Sequence, residues 1–355
     1  MGNRPTPRIA GPDVPESAAE ATYLVLVDER YVTSRRAVLL GAAAVLTGCS
    51  SSSGDKTPVA PTPASGTATS TAGAPTASTT PTLPAVAAWA PSPNDVQPQV
   101  KQRAVTLVEA LGAWPAGGSG IAAARTRIAA LGYSPALADQ AGPLLSDAAQ
   151  AVLEVVDAQY GGILDGGASV LVVCRRWTRA ADGGVTADGT TVDVRLSRAT
   201  PDWLVTSLHP ADPGPPAATP DAQAARILAD SRITLPPAAA ADLRAGTIHT
   251  SVLTALETLA AAHTIDVSIL RSGHPIDVFG TTRPSDHPLG RAVDVWRVDG
   301  RPIVDPNTPR ALVESFMREG ADAGSYNVGG PYQLSGAAFF SDATHHDHVH
   351  LGFRT

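Results

Sequence analysis

Apolar residues recur at helical spacing from residue 94 to about residue 160. Val100, Val105, Leu107, Val108 and Leu111 form one run, Ile121, Ile128 and Leu131 a second, and Leu144, Leu145, Ala148, Val152, Leu153 and Val156 a third. The spacing predicts two or three helices. A glycine-rich break at Gly161-Gly162 and Gly166-Gly167 follows, and the pattern then changes to strand character over residues 170–175, 191–196 and 203–208. Asp182-Gly183-Gly184 and Asp188-Gly189 mark the turn between the first two strands. Helices followed by an antiparallel meander predict a small α+β domain over residues 94–210. No cluster of titratable residues marks a site there, which leaves docking or spacing as its expected role.

Five prolines between Pro210 and Pro220 mark a linker, taken as residues 211–221. A second α+β domain is expected over residues 222–355, with a small antiparallel sheet and flanking helices. Its predicted helices are 222–229, 251–263 and 310–319. Its predicted strands are 265–270, which runs into Arg271-Ser272-Gly273-His274, then 292–296 and the closing 348–353.

The first ninety or so residues read differently. Arg35-Arg36 stand directly before an apolar run ending in Leu46-Thr47-Gly48-Cys49. About a dozen residues are too few to cross a hydrocarbon layer of roughly 30 Å as a helix, but they suit the core of a signal peptide. The paired arginines resemble a twin-arginine export signal, and the end of the run resembles a bacterial lipobox. That resemblance implies a signal over residues 1–48, lipidation of Cys49, and a membrane anchor on the extracytoplasmic face. Residues 50–87 are almost all Ser, Thr, Ala, Pro and Gly, so residues 49–93 are expected to act as a tether.

Composition removes some function classes. Charged residues make up 17% of the chain and the net charge is −7, which offers no basic surface for nucleic acid. Cys174 is the only cysteine besides Cys49, and it sits in the apolar run Val170–Val173, where an inert buried thiol is expected. Lysine occurs only at Lys56 and Lys101, a scarcity to which no mechanism is attached.

Candidate chemistry is concentrated near the C-terminal end. Ser285-Asp286-His287-Pro288-Leu289-Gly290-Arg291-Ala292-Val293-Asp294 is followed by His345-His346-Asp347-His348-Val349-His350. Imidazoles and a carboxylate are the nitrogen and oxygen donors that Zn²⁺ prefers. On a strand, His348 and His350 share one face, while Asp347 and Val349 share the other. One imidazole can then bind a metal while its neighbour handles protons. His209, His249, His263 and His346 read as satisfied or exposed side chains, and His274 is a further candidate, read as a residue behind the ligands or in the loop beside the motif.

Ser285, His287, Gly290, Ala292 and Asp294, followed by the His-x-x-His-x-His of His345, His348 and His350, resemble the D-alanyl-D-alanine carboxypeptidase, lysostaphin and hedgehog group of zinc peptidases. The likeness spans residues 270–353 and is closest to the group's murein endopeptidase branch. It implies zinc held by His287, Asp294 and His350, a turn permitted by Gly290, and Ser285 placed to help position substrate. For the proton carrier it offers two positions, Asp347 as in the carboxypeptidases or His348 as in the endopeptidases, of which strand parity favours His348. His345 is expected to orient His348 or to stabilise an oxyanion. Arg271 is a candidate for neutralising an oxyanion or a peptide carboxylate, and Arg283 and Arg291 are further candidates to meet the substrate. The function so implied is zinc-dependent hydrolysis of peptidoglycan peptides by a surface lipoprotein. A zinc-stabilised module that binds wall peptides or a protein without cleaving them stands beside it.

Overall fold

The computed structural model describes residues 82–354, all within the compact unit Pro75–Thr355. The export signal, Cys49 and most of the tether lie outside the described residues. Among those described, no helix is long and apolar enough to cross a membrane.

The chain begins with helices α1 (Pro98–Gly112) and α2 (Ile121–Ala130), passes through short 3-10 turns, and then forms four strands. These are β1 (Gln150–Leu164), β2 (Gly167–Arg179), β3 (Val185–Ser197) and β4 (Leu204–Pro210), paired antiparallel in chain order. Val100, Ala104, Leu107, Val108 and Leu111 turn one face of α1 onto Tyr160, Val170, Val172 and Val194 of the sheet. The meander is as expected, but the third predicted helix is not. Residues 144–156 end a 3-10 turn and enter β1, where Ala151, Leu153 and Val155 are buried in alternation. That two-residue period, and the long pairing with β2, outweigh the looser helical spacing. Gly161 and Gly162 are not a break either. They sit inside β1 at one of its two register shifts, between Tyr160 and Gly162; the other lies between Val155 and Asp157.

The second half opens with α3 (Ala222–Ala229), whose first turn is capped by Asp221 accepting from the Ala224 amide. Next come β5 (Ile233–Thr234), α4 (Pro237–Arg244), α5 (Thr250–Ala260), β6 (Ile265–Ile269), β7 (Ala292–Val298) and β8 (Arg301–Pro302). The chain continues with α6 (Arg310–Asp322), β9 (Asn327–Gly329), β10 (Phe339–Phe340) and β11 (Val349–Gly352). The sheet is seven-stranded in the order β10-β9-β11-β7-β6-β5, with β8 on β7. It is mixed rather than antiparallel throughout, because the outer pairs β10/β9 and β5/β6 run parallel. α4 was not expected, since Pro-Ala-Ala-Ala-Ala-Asp-Leu-Arg carries little apolar periodicity.

Helices α3, α5 and α6 bury Ile227, Leu253, Leu256, Phe316 and Met317 in one core with Val293, Val295, Val349 and Leu351 of the sheet. The alternating side chains of the same strands therefore point away from these helices. They meet the first sheet, and a small apolar cluster of Leu171, Val173, Ile269 and Val156 joins the two. Each half has its own core, and the remaining faces of the two sheets close against each other over these apolar residues and over buried polar ones such as Gln159, Ser268 and Asp294.

Candidate metal centre

Three elements deliver the central donors. His287 opens a 3-10 turn (His287–Leu289) that Gly290 closes in the left-handed region, at φ 68°. Asp294 lies mid-strand in β7, and His350 lies directly opposite it on β11. Cross-strand neighbours on one face are the closest side chains a sheet can offer. Nε2 of His287 is 3.1 Å from Asp294 Oδ1 and 3.2 Å from His350 Nδ1, and His350 Nδ1 is 2.9 Å from Asp294 Oδ1.

The tautomer of His287 follows from its other nitrogen, 2.8 Å from the Leu270 carbonyl. Nδ1 donates there, which turns Nε2 toward the carboxylate and His350. Burial would favour neutral Asp294, yet the imidazoles of His287 and His348 hold its carboxyl well below the usual range. Burial, only partly offset by Asp294, brings His350 down to about 4, so its ring is neutral. One carboxylate and two imidazoles, all buried, face a common point. Ligands in tetrahedral array at about 2.0–2.1 Å from a zinc ion stand roughly 3.3 Å apart, which is close to the spacing found here. The donor set fits a divalent cation.

His274, a further candidate on its place before the motif, joins this group rather than standing apart in a loop. Its ring stacks on His287 with centroids 4.1 Å apart and planes 17° from parallel. Its Nδ1 donates to the Pro275 carbonyl, and burial holds its pKa well below the ordinary value. His274, His287 and Asp294 place one donor each within 4.8 Å of one another and could hold a metal ion. The set completed by His350 is the tighter of the two, so His274 is better placed as an additional ligand or a neutral acceptor beside it.

His348 stands just ahead of β11. Its Nε2 is 3.7 Å from Asp294 Oδ1, and its Nδ1 is 2.6 Å from Asp347 Oδ1. Burial opposes its charge, but the carboxylates of Asp294 and Asp347 raise its pKa to about 9. A cation on Asp294 would cancel much of that attraction and bring the ring back toward neutrality. Asp347 does not reach the donor cluster as an alternative proton carrier. It follows a 3-10 turn (Thr344–His346) and points toward the first half of the chain, where Oδ2 accepts from Lys101 Nζ at 2.6 Å and from the Tyr160 amide at 3.1 Å. Burial raises its pKa, but Lys101 and His348 outweigh this and hold it at about 2.

A cavity of about 580 Å³ opens over these residues. Arg283 and Ser285 line it, with Phe279, Phe339, Phe340 and His345. His345 is 2.8 Å from Asp342 Oδ1 through Nδ1, with its ring centroid 5.3 Å from that of His348. The partner that orients His348 is therefore Asp347, not His345. Arg271 is not part of the cavity. Its amide donates to Asp242 Oδ2 at 3.1 Å, and its charge acts on that same carboxylate.

Sequence reading missed the contribution of residues 94–210. Gln159 Nε2 donates to Asp294 Oδ2 at 2.6 Å, Lys101 pairs with Asp347, and Tyr160, Gly161, Ile163 and Leu164 form one wall of the cavity. A spacer or docking role does not describe such a segment. One signal was available: Lys101 falls in register with Ala104, Val105 and Val108, on the apolar stripe of α1. Comparison with protein-family models, with curated proteins and with solved structures finds no match for the chain.

Proposed function

We propose that this chain is a zinc peptidase with a hedgehog/D-alanyl-D-alanine peptidase-type catalytic domain, acting on the peptides of cell-wall peptidoglycan. The observation that carries the reading is the convergence of His287 Nε2, Asp294 Oδ1 and His350 Nδ1 beside an imidazole that is itself held by a carboxylate. Zinc bound there would acidify a water and polarise a scissile carbonyl. His348 takes the proton at Nε2 and returns it to the leaving amine, while Asp347 keeps the Nδ1 proton in place and the ring aimed. Arg283, at the cavity wall, supplies a cation for a peptide carboxylate, and Ser285 a hydroxyl for a backbone group. The twin-arginine and lipobox sequences support a lipid-anchored protein outside the membrane, where such substrate is found.

The test is release of free amines from purified muropeptides by the zinc-loaded protein, with His348→Ala in parallel. Loss of roughly 10²–10⁴-fold in the variant, with zinc content unchanged, is the expected result. If both proteins hold zinc and neither cleaves any muropeptide, the chain is a zinc-stabilised binding module and the peptidase reading fails.

A further inference from the structure

The first half of the chain reaches the metal centre through two polar side chains that are almost completely buried. Gln159 is 0% and Lys101 1% exposed. Neither contact is explained by packing between halves, because apolar residues would close that interface without the desolvation of an amide and an ammonium. Both lead to a residue at the site.

Gln159 divides the work of the Asp294 carboxylate. Oδ1 faces His287 and His350, while Oδ2 accepts from Gln159 Nε2 at 2.6 Å. The other end of the amide is fixed as well, since its Oε1 accepts from the Ser268 hydroxyl. With Oδ2 occupied by a donor, only Oδ1 is free to bind a cation. The carboxylate is thus held in a one-oxygen mode, which leaves room for a substrate or water position.

Lys101 acts at one remove from His348. Its ammonium, between Asp95 and Asp347, fixes Asp347 Oδ2 jointly with the Tyr160 amide, and Asp347 Oδ1 holds His348 Nδ1 at 2.6 Å. The local backbone is shaped for this. The two register shifts of β1 fall on either side of residues 157–160, and such bulges turn strand side chains out of simple alternation.

We propose that Gln159 and Lys101 are positioning residues of the metal centre: the first fixes how Asp294 presents itself to the cation, and the second fixes Asp347 and through it His348. The segment 94–210 is then a structural part of the site. The proposal rests on the metal-site reading above but not on cleavage of any particular bond.

The full chain is loaded with Co²⁺, whose visible bands weaken as coordination number rises, and compared with Gln159→Leu and Lys101→Met. Affinity is measured by competition with a chelator, and folding by circular dichroism. Gln159→Leu is expected to remain folded, to bind Co²⁺ about 10–100-fold more weakly, and to show weaker bands as Oδ2 joins the coordination. Lys101→Met is expected to keep its Co²⁺ affinity within a few-fold. It is also expected to shift the His348 Nδ1 proton resonance in the zinc-loaded protein, a change that general loosening of the fold would not confine to one histidine. If removing the ammonium prevents folding, the uncharged Gln159→Leu still decides the proposal. Wild-type affinity and spectrum in Gln159→Leu overturn it, as does an unmoved His348 resonance in folded Lys101→Met for the role of Lys101. A wild-type protein that takes up no Co²⁺ or Zn²⁺ fails at an earlier step, and that failure belongs to the metal reading.

Discussion

Gly290 can be tested with a single added carbon. Its φ of 68° lies where a β-carbon is strained, by about 1–2 kcal/mol for alanine. A Cβ built there would also lie 2.0 Å from the Thr247 carbonyl oxygen, 3.1 Å from its carbon and 3.3 Å from Ile248 Cα. All three are backbone atoms, so no side chain can swing aside. The segment is tied further by the His249 amide donating to the Gly290 carbonyl at 2.8 Å and the Gly290 amide donating to the His287 carbonyl at 2.8 Å. Relief must therefore move either the entry to α5 or the turn that carries His287, and overpacking of this kind adds about 1–3 kcal/mol. Gly290→Ala should then lose about 2–5 kcal/mol. At about 2–4 °C per kcal/mol for a folded region of this size, the apo protein should melt roughly 4–20 °C lower. Gly300→Ala is the control, because Gly300 has φ 72° with nothing within 4 Å of an added Cβ, and it should show only the conformational part. Thermal melts by circular dichroism, followed by zinc titration of both variants, make the comparison. If Gly290→Ala melts within a degree or two of Gly300→Ala and binds zinc as the wild type does, the reasoning about the turn is wrong.

Two further expectations lie outside the metal centre. His263 sits between Asp299 and Glu319, at 2.9 and 2.7 Å from its two nitrogens, and although burial opposes its charge these hydrogen bonds raise its pKa above the ordinary value. Its stabilising effect is therefore complete below about pH 6.5 and lost as pH rises through the folded value. Melting temperature should decline as pH rises across that range, and His263→Gln should lack the decline; equal pH profiles would refute it. Cys174 is fully buried and burial pushes its thiol pKa up, so in a Cys49→Ser background an aromatic disulfide reagent should react at least ~100-fold more slowly with native protein than with urea-unfolded protein. Fast labelling of the native form would show that β2 opens readily.

The parts of the fold legible in sequence are those in which one period dominates. α3 has an N-cap aspartate and an amphipathic stripe, and its expected span of residues 222–229 is the observed one. β1 was misread because its apolar residues satisfy two periods, and only the partner strand decides between them. α4 was missed because a run of alanines is helical without being patterned. At the site, the family likeness singled out His287, Asp294 and His350, and a turn and two strands bring these three together. Gln159 and Lys101 were not legible, since Gln159 meets Asp294 from 135 positions away and no local pattern encodes that distance. Arg271 was drawn in by its nearness in sequence to the motif, while its strand end faces Asp242.

The pairing of β7 with β11 sets His350 against Asp294, and the flanking pairs Val349 with Val295 and Leu351 with Val293 lie on the opposite face, in the core. A slip of β11 by one residue would turn Val349 and Leu351 out of that core, at about 1.5–3 kcal/mol each. Grease on one side of the sheet thus works as a gauge for ligand spacing on the other. A well-packed interior and the spacing of the candidate ligands depend here on the same alignment, so a variant that truncates Val349 or Leu351 should weaken the fold and disturb the ligand spacing together.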